Sequence, residues 1–189
     1  MITLQLDMRH KINNDCKESI MDDVKLIHPH YDSIWTIQCT RNGKVIWEDE
    51  GNNSLVQQGE EQILETYFRA VSAYTPSEFY VRLCNQTLTS TSTLMSITSE
   101  PSGNGYAAAL LERSAVGFPT KDIDSGIYRL TSKAMTFTAS GGQIGPVTTA
   151  FLATTSGNAG SLIAFRTLSL TRTILDTDTM TITIKVKLS

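Results

Sequence analysis

The sequence predicts a mostly β protein: an antiparallel β-sandwich or jelly-roll-like body with one helix, about residues 58–73, and an N-terminal arm. Three observations carry that prediction. After Pro76, short apolar or alternating segments recur with turn residues between them. No helical periodicity intervenes, which is the pattern of a sandwich rather than a parallel sheet. Charged residues make up only 19% of the chain, so Thr and Ser carry much of the polar surface, and β-branched Thr fits a pleated sheet. The final segment alternates strictly between apolar and polar side chains.

The 189 residues suit an arm, 1–33, followed by one domain, 34–189. Within the arm, Ile2, Leu4 and Leu6 alternate with polar residues as a short strand would. Lys11 to Asp23 is charged and weakly patterned, and Pro29 pushes His28 out of the helical region. Ile34 to Cys39 and Val45 to Glu48 then flank Arg41-Asn42-Gly43-Lys44. Asn-Gly supplies the positive φ angles of a type I′ turn, so this is a hairpin. In the predicted helix Ile63, Leu64, Tyr67, Phe68 and Val71 share one face, with Glu60, Glu61 and Glu65 turned outward. Acidic residues in its first turn suit the positive end of the helix dipole, and Thr75-Pro76 ends it.

The β series follows. Phe79 to Cys84 is rich in strand formers, and a Ser/Thr connection runs from Thr87 to Thr93. Leu94 to Ile97, Tyr106 to Leu111, Tyr128 to Leu130, Met135 to Ala139, Thr148 to Thr154 and Ser161 to Leu168 continue it. Gly141-Gly142, Gly145-Pro146 and Gly157-Asn158 punctuate them. In the last strand Met180, Ile182, Ile184, Val186 and Leu188 alternate with Thr179, Thr181, Thr183, Lys185 and Lys187. Slipping such a strand by one residue would turn its whole apolar set to water, so its register is specified.

Charge and composition narrow the function. A net charge of -3 with no Lys/Arg run lacks the basic face that a nucleic-acid partner requires. No apolar run reaches the roughly 20 residues that span a bilayer. Met1 to His10 has no apolar core of a secretory signal, so synthesis in a cytoplasm is expected. Cys16, Cys39 and Cys84 read as reduced thiols, Cys39 and Cys84 being small apolar groups inside strands; a Cys39–Cys84 bridge is the alternative.

No catalytic set emerges. His10, His28 and His30 all lie in the irregular N-terminal stretch. His28, His30 and Asp32 could offer two imidazoles and a carboxylate to a metal, but loop histidines beside a proline are the ordinary reading. There is no GxSxG elbow and no Gly-Cys context. Gly103-Asn104-Gly105 and Gly141-Gly142 open no helix, so they are turns rather than phosphate cradles. Asp122, Asp124, Asp176 and Asp178 lack the Gly and distal Glu of a calcium loop and read as turn residues. Trp35 and Trp47 flank one hairpin and read as core or interface groups rather than a sugar platform. Glu60, Glu61 and Glu65 read as a solvated face. The expectation is a protein that is not an enzyme, with no cofactor and no metal, acting through surfaces. The candidate interface residues are Trp35, Trp47, His28, His30 and Tyr31.

One further pattern concerns the order of features. Trp47-Glu48-Asp49-Glu50-Gly51-Asn52-Asn53-Ser54-Leu55-Val56 leads into Gly59-Glu60-Glu61-Gln62-Ile63-Leu64, then Phe79-Tyr80-Val81-Arg82-Leu83 and a Thr-rich loop. Gly105-Tyr106-Ala107, Phe137-Thr138-Ala139-Ser140-Gly141-Gly142, Gly145-Pro146-Val147, Ala150-Phe151-Leu152-Ala153-Thr154 and Leu162-Ile163-Ala164 follow, before the alternating terminal strand. This order resembles small virion structural proteins of tailed bacteriophages. The chain departs from the group at Ala108, where a basic residue is usual, and at Thr177-Asp178, where Gly-Asp is frequent; residues 1–46 lie outside the resemblance. The resemblance implies a capsid decoration (cement) protein that binds and stabilises the assembled head, with the major capsid protein or other virion proteins as partners. It implies a homo-oligomer, dimer or trimer. A tail-fibre or head-fibre module recognising host glycans through Glu100–Gly105 and Thr154–Gly160 is the alternative, as is a neck or tail adaptor.

Overall fold

The computed structural model describes residues 31–188. In chain order the strands are β1 (Tyr31–Arg41), β2 (Lys44–Asn52), β3 (Ser54–Leu55), β4 (Glu78–Cys84), β5 (Ala109–Glu112) and β6 (Thr120–Asp124). They continue with β7 (Ile127–Thr131), β8 (Met135–Thr138), β9 (Ile144–Ala153), β10 (Leu162–Ile174) and β11 (Thr179–Leu188). The helix α1 (Gln57–Tyr67) lies between β3 and β4. One sheet has the order β2-β1-β11-β7-β6, with β8 also paired to β11; the other is β3-β10-β9-β4-β5. Every pairing is antiparallel. The body is the mostly β, sandwich-like fold that the sequence predicts. The opening strand at Ile2–Leu6, Cys16 and the histidines His10, His28 and His30 lie outside the described residues.

The hairpin forms as its turn chemistry dictates: Asn42 and Gly43 have φ of 50° and 73°, both positive as a type I′ turn demands. A second such turn at Ser125-Gly126, φ 52° and 83°, joins β6 to β7. Asp122 and Asp124 therefore stand in a strand rather than a turn. Asp122 pairs with Arg129 at 2.8 Å and Asp124 with the same guanidinium at 3.1 Å, so cross-strand charge pairing accounts for both.

The terminal strand is the spine of its sheet. β1 holds one edge of it from Thr40↔Thr179 to Tyr31↔Leu188, and β7 and β8 share the other edge end to end. Ser132 bridges the gap between those two: its backbone N–H donates to Ile184 O (2.8 Å) and its Oγ accepts from Ile184 N (2.9 Å). Met180, Ile182 and Ile184 are fully buried with Trp35, Ile37 and Cys39 of β1 and Met135 and Phe137 of β8. They face Val81, Leu83, Ala150, Leu152 and Ala164 of the other sheet. Each large apolar side chain so buried contributes about 1.5–3 kcal/mol, which holds the register.

A second cluster covers the outer face of the second sheet. Phe151, Ala153, Leu162 and Phe165 there meet Val56, Leu88, Leu94 and Ile97. Leu94–Ser96 is a 3-10 turn rather than the expected strand segment, because its role is to fold the Thr-rich connection back over Phe151. β9 thereby has both faces buried.

The helix departs furthest from expectation. It ends at Tyr67, well before residue 73, because Ala70 takes a left-handed φ of 53° and Val71 N–H closes back on Glu65 O. That is a helix-ending loop usually built on Gly, and no Gly signals it here. Its buried face is also different: Gly59 and Gln62 are buried, whereas Leu64, Tyr67 and Phe68 are 55%, 78% and 80% exposed. Close approach at Gly59 decides this, since a Cβ there would stand 2.2 Å from Ile163 O. Gln58 adds a polar anchor, its Oε1 accepting from Leu94 N (3.2 Å) and Leu162 N (3.0 Å). Gly59→Ala should therefore lift α1 from β10 and cost about 1–3 kcal/mol, the range for overpacking. Urea unfolding of the two proteins measures it.

Candidate functional site

β4 carries one cation into the core. Arg82 is 2% exposed and its planar fork makes four hydrogen bonds. Nε donates to Glu100 Oε1 (2.9 Å) and Nη2 to Glu100 Oε2. Nη1 donates to Gly157 O (2.5 Å) and Nη2 also to Asn158 Oδ1 (3.0 Å). The guanidinium lies 5.2 Å from the Phe151 ring centroid. Glu100 takes a further hydrogen bond from the Tyr106 hydroxyl. Burial and the Glu100 carboxylate push that hydroxyl well above the ordinary tyrosine range, so it remains a donor. One buried arginine thus ties together the loops 100–105 and 154–160, which are far apart in sequence.

Beside this anchor a polar cleft of about 440 Å³ opens, lined by Asn85, Ser99, Glu100, Ser102, Asn104 and Gln143 among others. Asn104, at φ 52°, donates from Nδ2 to Gln143 O (2.7 Å) and joins the two walls. Amide and hydroxyl groups of this kind pair with a polyol, each able to donate and accept.

Of the candidate interface residues, Trp35 is fully buried and its indole N–H donates to Ser33 Oγ (3.2 Å); its ring belongs to the core and presents no surface. Trp47 is half-buried, with the Arg172 guanidinium 4.7 Å from its ring centroid. Tyr31 opens β1 opposite Leu188; His28 and His30 lie outside the described residues. Cys39 and Cys84 are free and buried, and burial pushes the Cys84 thiol up to about 11. Asp176 accepts from Gly141 N (2.9 Å) and Gly142 N (3.3 Å), and Asp178 is gripped by Arg41 at 2.7 and 2.8 Å. Among the described residues, no three His, Cys, Asp or Glu side chains form a group that could hold a metal. None of the described helices is long and apolar enough to cross a membrane. Arg82 is the residue that sequence reasoning missed; a charge inside an apolar strand, Phe79-Tyr80-Val81-Arg82-Leu83-Cys84, was its only signal.

The family model described as Podophage GP4 fiber I protein gp80 matches residues 54–186. The chain belongs to that family. It is a structural protein of a phage virion. No curated protein matches it. The match to the fiber I protein family spans β3 to most of β11 and so takes in Arg82, Glu100, Asn104 and the loop 154–160. The β1–β2 hairpin precedes the match, yet it places Trp35 and Ile37 in the core beside β11.

Proposed function

We propose that this chain is a component of a virion fibre and that the loops 100–105 and 154–160 present it to host surface glycans. Arg82 carries the reading: a buried arginine that pins two polar loops to one sheet end prepares a binding surface rather than leaving it to be ordered on contact. The adjacent cleft of amides and hydroxyls supplies the chemistry. The family's description as a fibre protein favours a fibre over a shell decoration. The role is binding without turnover, with other virion proteins as its structural partners.

A glycan array with the purified protein tests this. Wild type should bind host surface polysaccharides, and Ser102→Trp, at an exposed position lining the cleft, should lower binding at least tenfold without changing the melting temperature. A wild-type protein that binds no glycan, with labelled antibody decorating heads rather than fibres, would sink the reading.

A further inference from the structure

A second opening lies away from the Arg82 loops. Between the two sheets, beside α1, a groove of about 570 Å³ runs inward past Ile63, Phe79, Phe118, Leu130 and Val186 to buried Leu111. The charged side chains that line it are Arg113 and Lys121, both cations. At its edge α1 turns Leu64, Tyr67 and Phe68 outward. Contiguous exposed apolar surface of this kind marks an interface, and aromatic side chains are the usual anchors.

We propose that this groove receives the outward face of α1 from a second copy of this chain, with Phe68 as the inserted anchor. Complementarity argues for that occupant. The groove calls for an apolar, aromatic element flanked by negative charge, because its rim is positive and, among the described residues, its walls carry no carboxylate. Such an element exists on the same chain: α1 bears exposed Glu60 and Glu61 alongside Leu64, with Phe68 at its end, whereas Glu65 is turned in and paired with Arg69 (2.5 Å). Its own groove does not take Leu64 and Phe68, since α1 packs with Gly59 against β10 and contributes Gln62, Ile63, Thr66 and Tyr67 to the groove wall. Each copy carries both halves of the contact, so association closes in a symmetric assembly.

Sedimentation of the full chain tests the contact from both sides. Wild type should sediment at a whole-number multiple of the single-chain mass. Phe68→Asp on the helix and Leu130→Asp in the groove, 80% and 40% exposed, should each give a folded monomer, with association at least 100-fold weaker. Lys121→Glu should weaken it by a smaller factor. Val45→Asp, at an exposed site beside the hairpin turn, should leave the mass unchanged and exclude a general effect of added charge. A monomeric wild type overturns the proposal, whether an apolar dye then enters the groove or finds it covered by the chain itself. So does a wild-type mass in either aspartate variant. Glycan binding is read separately, so failure here and failure of the receptor reading are distinguishable.

Discussion

Arg82→Ala should lower the melting temperature by about 6–20 °C. Removing one partner of a buried ion pair costs about 3–5 kcal/mol, because the partner left behind has lost its compensation. At this size each kcal/mol moves the midpoint by about 2–4 °C. Glu100, whose side chain is 22% exposed, would keep only the Tyr106 hydroxyl, Gly157 O would keep only the Thr155 hydroxyl (3.0 Å), and Asn158 Oδ1 would lose its Arg82 donor. The damage should be local first: limited proteolysis should cut between residues 154 and 160 before the sandwich unfolds. Arg82→Lys keeps the charge but not the fork, so it should fall between the two. A scan showing Arg82→Ala within about 2 °C of wild type, with no new cleavage, would show that the loops are held by something else.

Asp49→Asn should be nearly as costly, at about 3 kcal/mol, and should change the response to acid. Asp49 stands on β2, is 5% exposed, and joins the two sheets. Its Oδ1 accepts from Arg166 Nη2 (2.6 Å), and its Oδ2 from Ser169 N (2.6 Å) and Ser169 Oγ. The pairing of β10 with β9 slips between Thr167 and Arg172, so the carboxylate supplies the acceptor that the sheet denies Ser169. Burial pushes the Asp49 carboxyl up, but the Ser169 bonds and the Arg166 charge outweigh it and hold the group below the ordinary 3.8. The folded state therefore favours the ionised form. Its contribution is complete above the unfolded value and is lost as pH falls through the folded one. Asp178, held down chiefly by its bonds to Arg41, adds to the same acid limb. Wild-type stability should drop as pH falls below about 4, and Asp49→Asn should flatten part of that drop. Denaturant unfolding at pH 6, 4 and 3 measures it; parallel wild-type and variant curves would refute the assignment.

Much of the sandwich was legible because strands announce themselves through local rules. The Asn42-Gly43 turn and the alternation from Met180 to Ile184 depend on backbone sterics and side-chain period, and both appear as read. Leu94–Ser96 misled because an apolar run does not say which backbone shape will bury it. The candidate site was legible in half: Glu100–Gly105 and Thr154–Gly160 were visible as polar loops. Nothing in the chain order placed a single arginine between them.

The helix shows where such reading stops. Its apolar residues sit at helical spacing, yet most of them face solvent, since periodicity identifies an apolar stripe but not what covers it. A glycine and two glutamines determine which face meets the sheet, through a backbone approach that only packing reveals.

The sequence by itself determined the β class, the Asn42-Gly43 turn and the buried face of the terminal strand, because each follows from neighbouring residues along one stretch of chain. Tertiary structure alone decided the buried roles of Arg82 and Asp49 and the outward aromatic face of α1. Each depends on groups from distant segments meeting at hydrogen-bonding or contact distance, and spacing along the chain does not encode that meeting.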